Sequence, residues 1–161
     1  MTAQNVRSPA SRITRYQQKI FSLVLYLIGG DQAAAAQITI ASFVETIPRT
    51  SVATPEEIFL TRLARAAVEK SREAEALPSL GRTDFLDLPA ERRKSLQVAS
   101  DALLVLPFET KVFLLLRDQL HFSYRVIGKV SRISQKGARI RTAQARVALR
   151  EKIQEVLRRA Q

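Results

Sequence analysis

The stretch "HFSYRVIGKVSRISQKGARIRTAQARVALR", residues 121–150, contains eight Lys or Arg and no Asp or Glu. A solvated helix ordinarily mixes the two signs, because opposite charges three or four residues apart support it. A purely basic run points instead to a polyanionic partner. The local pattern is helical. Segments 123–131 and 135–159 are joined by a short polar turn, with Ser123 and Ser134 placed where a hydroxyl can accept from a free first-turn amide. On the second segment Ala138, Ala145, Leu149, Ile153 and Val156 share one face, and Arg139, Arg146 and Arg150 lie off it. A helix that buries one side and offers guanidinium groups on another suits the major groove, where phosphates supply affinity and base edges specificity. The spacing is that of a helix-turn-helix.

Outside this stretch the charge is different. The chain has 161 residues, a formal charge of +11 and 46% apolar residues, enough for a real core. Residues 111–161 carry 13 of the 26 bases but only three of the 15 acids: Asp118, Glu151 and Glu155. Residues 1–110 are close to balance, so the two parts are expected to meet different partners. With no cysteine and only His121, disulfides and thiolate zinc sites are excluded, and no cofactor or metal is expected.

Helical periodicity dominates upstream as well. Ile13, Tyr16, Ile20, Leu23, Val24 and Leu27 recur three and four apart, up to Gly29-Gly30. The apolar run "IFSLVLYLI" (20–28) follows Arg12, Arg15 and Lys19 in an order that imitates a secretory signal. Its long charged lead-in and Tyr26 argue against one, and it is too short to span a membrane. A second helix is predicted over about 31–47, with Ala35, Ile38, Ser42 and Phe43 inward and Pro48 ending it. "TPEEIFLTRLARAAVEKSREAEA" (54–76) reads as a third, with Thr54 as N-cap and Pro55 as first helical residue. Residues 77–90, "LPSLGRTDFLDLPA", read as a linker, and residues 1–12 as a disordered arm. Helices over about 91–104 and 108–119 complete an all-α chain of two small domains, 13–76 and 91–161.

The carboxy-terminal stretch "LPFETKVFLLLRDQLHFSYRVIGKVSRISQKGARIRTAQARVALR" (106–150) resembles the last domain of bacterial RNA polymerase sigma factors of the extracytoplasmic-function class. Leu106-Pro107, Val112-Phe113, Leu115-Leu116-Arg117, Ser123-Tyr124, Ile127, Ile133-Ser134, Arg141, Ala145-Arg146 and Leu149-Arg150 match in one gapless register, with Arg139 at a lysine position. "YQQKIFSLVLYLIGGDQAAAAQITIASFVETI" (16–47) is similar to the family's clamp-docking helix pair, and "FLTRLARAAVEKSR" (59–72) to its minus-10 segment. The resemblance implies a bacterial cytoplasmic, nucleoid-associated protein that binds promoter DNA and core RNA polymerase, with an anti-sigma factor as a further partner. Lys136, Arg139, Arg141, Arg146 and Arg150 would meet a minus-35-type element, with Arg125 and Lys129 on the flanking backbone. Gln37, Ile40, Ala41 and Val44 would face polymerase.

Several positions depart from the family. Its acidic A-E-D-l-v-Q-E run is Ala35-Ala36-Gln37-Ile38-Thr39-Ile40-Ala41, so every clamp-facing acid is missing. Arg62 replaces Trp and Glu69 replaces Asn; in the last domain Val126 replaces Glu and Arg132 replaces Gly. Ser131 and Thr142 replace core leucines, which should weaken packing. Ile140 and Val147 fall opposite the buried face and read as scattered surface residues, the alternatives being thymine-methyl contacts or protein anchors. The alternative function is a divergent sigma-like regulator that binds DNA or sequesters a partner without initiating transcription. No nucleophile elbow or phosphate loop is present, so no enzyme is expected. His121 reads as structural.

Overall fold

The computed structural model describes residues 9–51, 53–75 and 90–159. Among them there is no strand, and the chain is all-α. Seven helices follow in order: α1 (Pro9–Leu27), α2 (Gln32–Thr46), α3 (Glu56–Glu75), α4 (Ala90–Leu104), α5 (Phe108–Leu114), α6 (Tyr124–Ser131) and α7 (Gln135–Arg159). A single 3-10 turn, Ile47–Arg49, carries Pro48 at the end of α2, and α5 continues into a π-helical turn, Leu115–Gln119. The expected arm lies outside the described residues up to position 8. From Pro9 onward the chain is already helical, four residues before Ile13. Of the expected linker only Ala90 is described, as the first residue of α4.

Local chemistry explains most boundaries. Gly29 and Gly30 both take positive φ, 82° and 96°, which ends α1. Asp31 then caps α2 by accepting from the Ala34 amide at 3.0 Å. Thr54 does not cap α3. Its hydroxyl turns back to accept from the Ser51 amide at 2.9 Å, while its carbonyl accepts from the Arg12 guanidinium at 2.8 Å. Arg12 also stacks over the Phe59 ring at 4.9 Å, so an expected arm residue becomes a buried clip between α1 and the start of α3.

The apolar faces meet in one cluster that runs through both halves of the chain. Leu23 and Leu27 of α1, Phe59 and Leu63 of α3, Leu116 and Ile127 are all fully buried within it. Each such side chain contributes about 1.5–3 kcal/mol by leaving water. Helix α3 packs on α2 and α1 on one side and on α6 on the other, and α7 is flanked by α4, α5 and α6. Buried Lys111 of α5 crosses between the halves and donates to the Leu27 carbonyl at the end of α1, at 3.1 Å. A cation suits that helix end, where carbonyls lack intrahelical partners. The boundary expected near 77–90 is therefore spanned by a shared core. Among the described residues, no helix is long and apolar enough to cross a membrane.

Candidate nucleic-acid interface

Helices α6 and α7 pack closely and are joined by three residues, 132–134. Both serines cap as expected. Ser123 Oγ accepts from the Val126 amide at 3.3 Å, and Ser134 Oγ accepts from the Gly137 amide at 3.0 Å. Between them Arg132 adopts the left-handed conformation, φ 56° and ψ 39°, that closes α6 where the sigma pattern has glycine. The Ile133 amide then donates to the Gly128 carbonyl at 2.9 Å, which holds the turn against α6. Val126, Ile127 and Val130 of α6 and Ala138, Thr142 and Ala145 of α7 are buried. The buried Thr142 hydroxyl donates to the Ala138 carbonyl at 2.8 Å and so bears no unsatisfied polar group, whereas Ser131 Oγ is buried without a partner.

The seven predicted cations, with Arg132 as the eighth of the stretch, divide into two groups. Arg125 and Lys129 of α6 both bind the carboxylate of Glu57 on α3, Lys129 at 2.9 Å. In the turn, Arg132 binds Glu69 of α3 at 2.7 Å. Arg146 folds back on Asp118 of the π-helical turn, whose hydrogen bond is the main cause that raises the Arg146 pKa. Lys136, Arg139, Arg141 and Arg150 are exposed and carry no ion pair among the described residues. Half of the eight cations are thus neutralised by acids that come from outside the stretch. Hydrogen bonds from Lys129 and then Arg125 hold the Glu57 carboxyl below its ordinary value.

Three features of this surface escape a reading of the sequence alone. Glu57, Glu69 and Asp118 lie 28 to 72 positions from the cations they bind. No local spacing announces such pairs. A cleft of about 450 Å³ also opens at the start of α7, lined by Tyr124, Gln135, Lys136 and Arg139. The Arg117 guanidinium stacks on the Tyr124 ring at 4.7 Å and fixes one wall. Ile140 and Val147 are 48% and 52% exposed on the outer face of α7, as expected of surface residues. His121 is exposed with φ 56°, a turn residue and not part of the core.

The other predicted surface is on α2. Gln37, Ile40, Ala41 and Val44 are all exposed, Ile40 and Val44 at 63% and 66%. These two line an apolar groove of about 810 Å³ between α1 and α2, together with Ile13, Phe21, Phe43 and Ile47. None of these positions bears a charge, which distinguishes this surface from the basic one on α6 and α7. Among the described residues no three His, Cys, Asp or Glu come together in a way that could hold a metal. No family model and no curated protein matches the chain.

Proposed function

We propose that the chain is a sigma-factor-like transcription protein that binds promoter DNA through α6 and α7. The observation that carries this is the set of exposed cations on α7, Lys136, Arg139, Arg141 and Arg150, none of them ion-paired among the described residues. They belong to a capped helix that buries Ala138, Thr142 and Ala145. Free guanidinium groups on a rigid helix are the donors that phosphates and guanine edges require. The cleft beside Tyr124 gives Lys136 and Arg139 a recessed wall against which a backbone or base edge can sit. In this reading the α1–α2 surface docks core polymerase.

A salt series of fluorescence anisotropy on a labelled duplex tests DNA binding. Four phosphate-binding cations give a slope of log K against log salt near −3.6, since each contributes about 0.9. Arg139→Gln lowers affinity and flattens that slope by about one if it meets phosphate; if it meets a base edge, it relaxes sequence preference instead. Run-off transcription with core polymerase tests initiation. Salt-insensitive binding, or none, removes the DNA reading.

A second reading has its own support. The face of α2 formed by Gln37, Ile40, Ala41 and Val44 is uncharged, and the Glu45 carboxylate beside it is already paired with Lys70 and Arg49. That favours a divergent DNA-binding or partner-sequestering regulator that does not initiate transcription. Retention of core polymerase in a pull-down separates the two, because this second reading loses if the polymerase is retained.

A further inference from the structure

The acids that meet the cations of α6 and the following turn come from one helix. Glu57 and Glu69 lie on α3 and reach Arg125, Lys129 and Arg132, while Arg65 of the same helix donates to the Lys129 carbonyl. These pairs are well exposed on the basic side: the side chains of Arg125, Lys129 and Arg132 keep 61%, 47% and 71% of their accessible surface. Ion pairs that wet add little to stability, and the shared apolar core holds α3 against α6 without them. Their larger effect is on charge. A glutamate carboxylate bridging two cations occupies the same donors that a backbone phosphate would take.

We infer that α3 is an internal competitor for DNA: Glu57 holds the α6 cations Arg125 and Lys129, and Glu69 holds Arg132 of the turn, so that a phosphate reaches them only by displacing a carboxylate. The inference rests on the DNA-binding reading and adds a regulated step to it. The exchange needs no unfolding, because the cations are already at the surface. In its resting form the chain offers duplex DNA the α7 cations alone. Whatever draws the acidic edge of α3 away adds the α6 cations to the binding surface.

Anisotropy titrations of the full chain with a labelled duplex test this, using Glu57→Gln against Glu73→Gln. Glu73 is exposed on the same helix and has no ion pair among the described residues, so it makes the same change in net charge. Near 0.1 M salt, Glu57→Gln is expected to tighten binding about three- to tenfold. It should also steepen the salt slope by up to about two, one contact for each freed cation. Glu73→Gln is expected to change affinity less than about twofold. Arg125→Gln completes the cycle: nearly silent in the native chain, it should weaken binding in the Glu57→Gln background. Equal effects of Glu57→Gln and Glu73→Gln, with Arg125→Gln costing the same in both backgrounds, would overturn the competitor while leaving DNA binding in place. Absence of salt-dependent binding by both the native chain and Glu57→Gln would remove the DNA reading, and the competitor with it.

Discussion

Gly128 lies inside α6, where alanine would ordinarily be the better helix former by about 1 kcal/mol. Here a Cβ would stand 2.7 Å from the Ile133 carbonyl oxygen and 3.3 Å from the Ser134 carbonyl carbon. Both are backbone atoms of the turn, and they cannot step aside without dragging the start of α7. Gly128→Ala is therefore expected to destabilise the protein by about 1–3 kcal/mol, the cost of overpacking, against the sign of its helix propensity. Thermal unfolding followed by circular dichroism measures it, and a raised midpoint would show that the turn yields. A glycine in a helical pattern does not by itself reveal such a contact, since the clashing atoms lie on the far side of a turn. The caps were legible because a serine hydroxyl reaches an amide only three positions away. Thr54 has the same local signature and misleads, because its hydroxyl accepts instead from the Ser51 amide on its other side.

All seven helices could be read from a period of three to four, and α7 was placed to the residue at both ends. The π-helical turn after α5 could not be, since its side chains follow the same apolar pattern as an α-helix. What α3 does was equally hidden: its sequence shows an amphipathic helix with acids in its first turn, favourable there on dipole grounds alone. One of those acids, Glu57, in fact faces α6, and this has a pH consequence. Hydrogen bonds from Lys129 and Arg125 place its folded value below the ordinary 4.5, so protons bind more readily to the unfolded chain. The contact thus contributes above about pH 4.5 and is lost as pH falls through the lower folded value. Glu45, held down chiefly by Lys70, and Glu155, held down chiefly by Lys152, follow the same sign. Comparing melting midpoints at pH 7 and about pH 3.5, the drop on acidification should be smaller for Glu57→Gln than for the native chain. The difference is modest because the pair is exposed. An equal drop in both proteins would mean that the carboxylate is not held in the folded state.

Charge divides the chain near residue 110, but the core does not follow that division. Composition reports what each segment shows to solvent; it says nothing of which apolar faces find each other, and here α3 meets α6 as well as α1 and α2. Buried Leu63 of α3 and Ile127 of α6 belong to the same cluster, and Lys111 ties α5 to the end of α1. Surface ion pairs of the Glu57 kind are too weak to couple two otherwise independent domains. Continuous apolar packing is strong enough, since each fully buried side chain at the shared surface is worth more than a wet ion pair. The two halves should therefore unfold together. Calorimetry of the native chain is expected to give one transition whose van't Hoff and calorimetric enthalpies agree. Leu63→Ala, which removes a fully buried side chain from α3, should cost about 2–5 kcal/mol and lower that single midpoint. The decisive readout is amide exchange in α7. If the halves share one cooperative core, protection of the Ala138–Ala145 segment falls with the mutation in α3; if it stays constant while α1–α3 lose protection, the basic domain stands alone and its contact with α3 is only electrostatic.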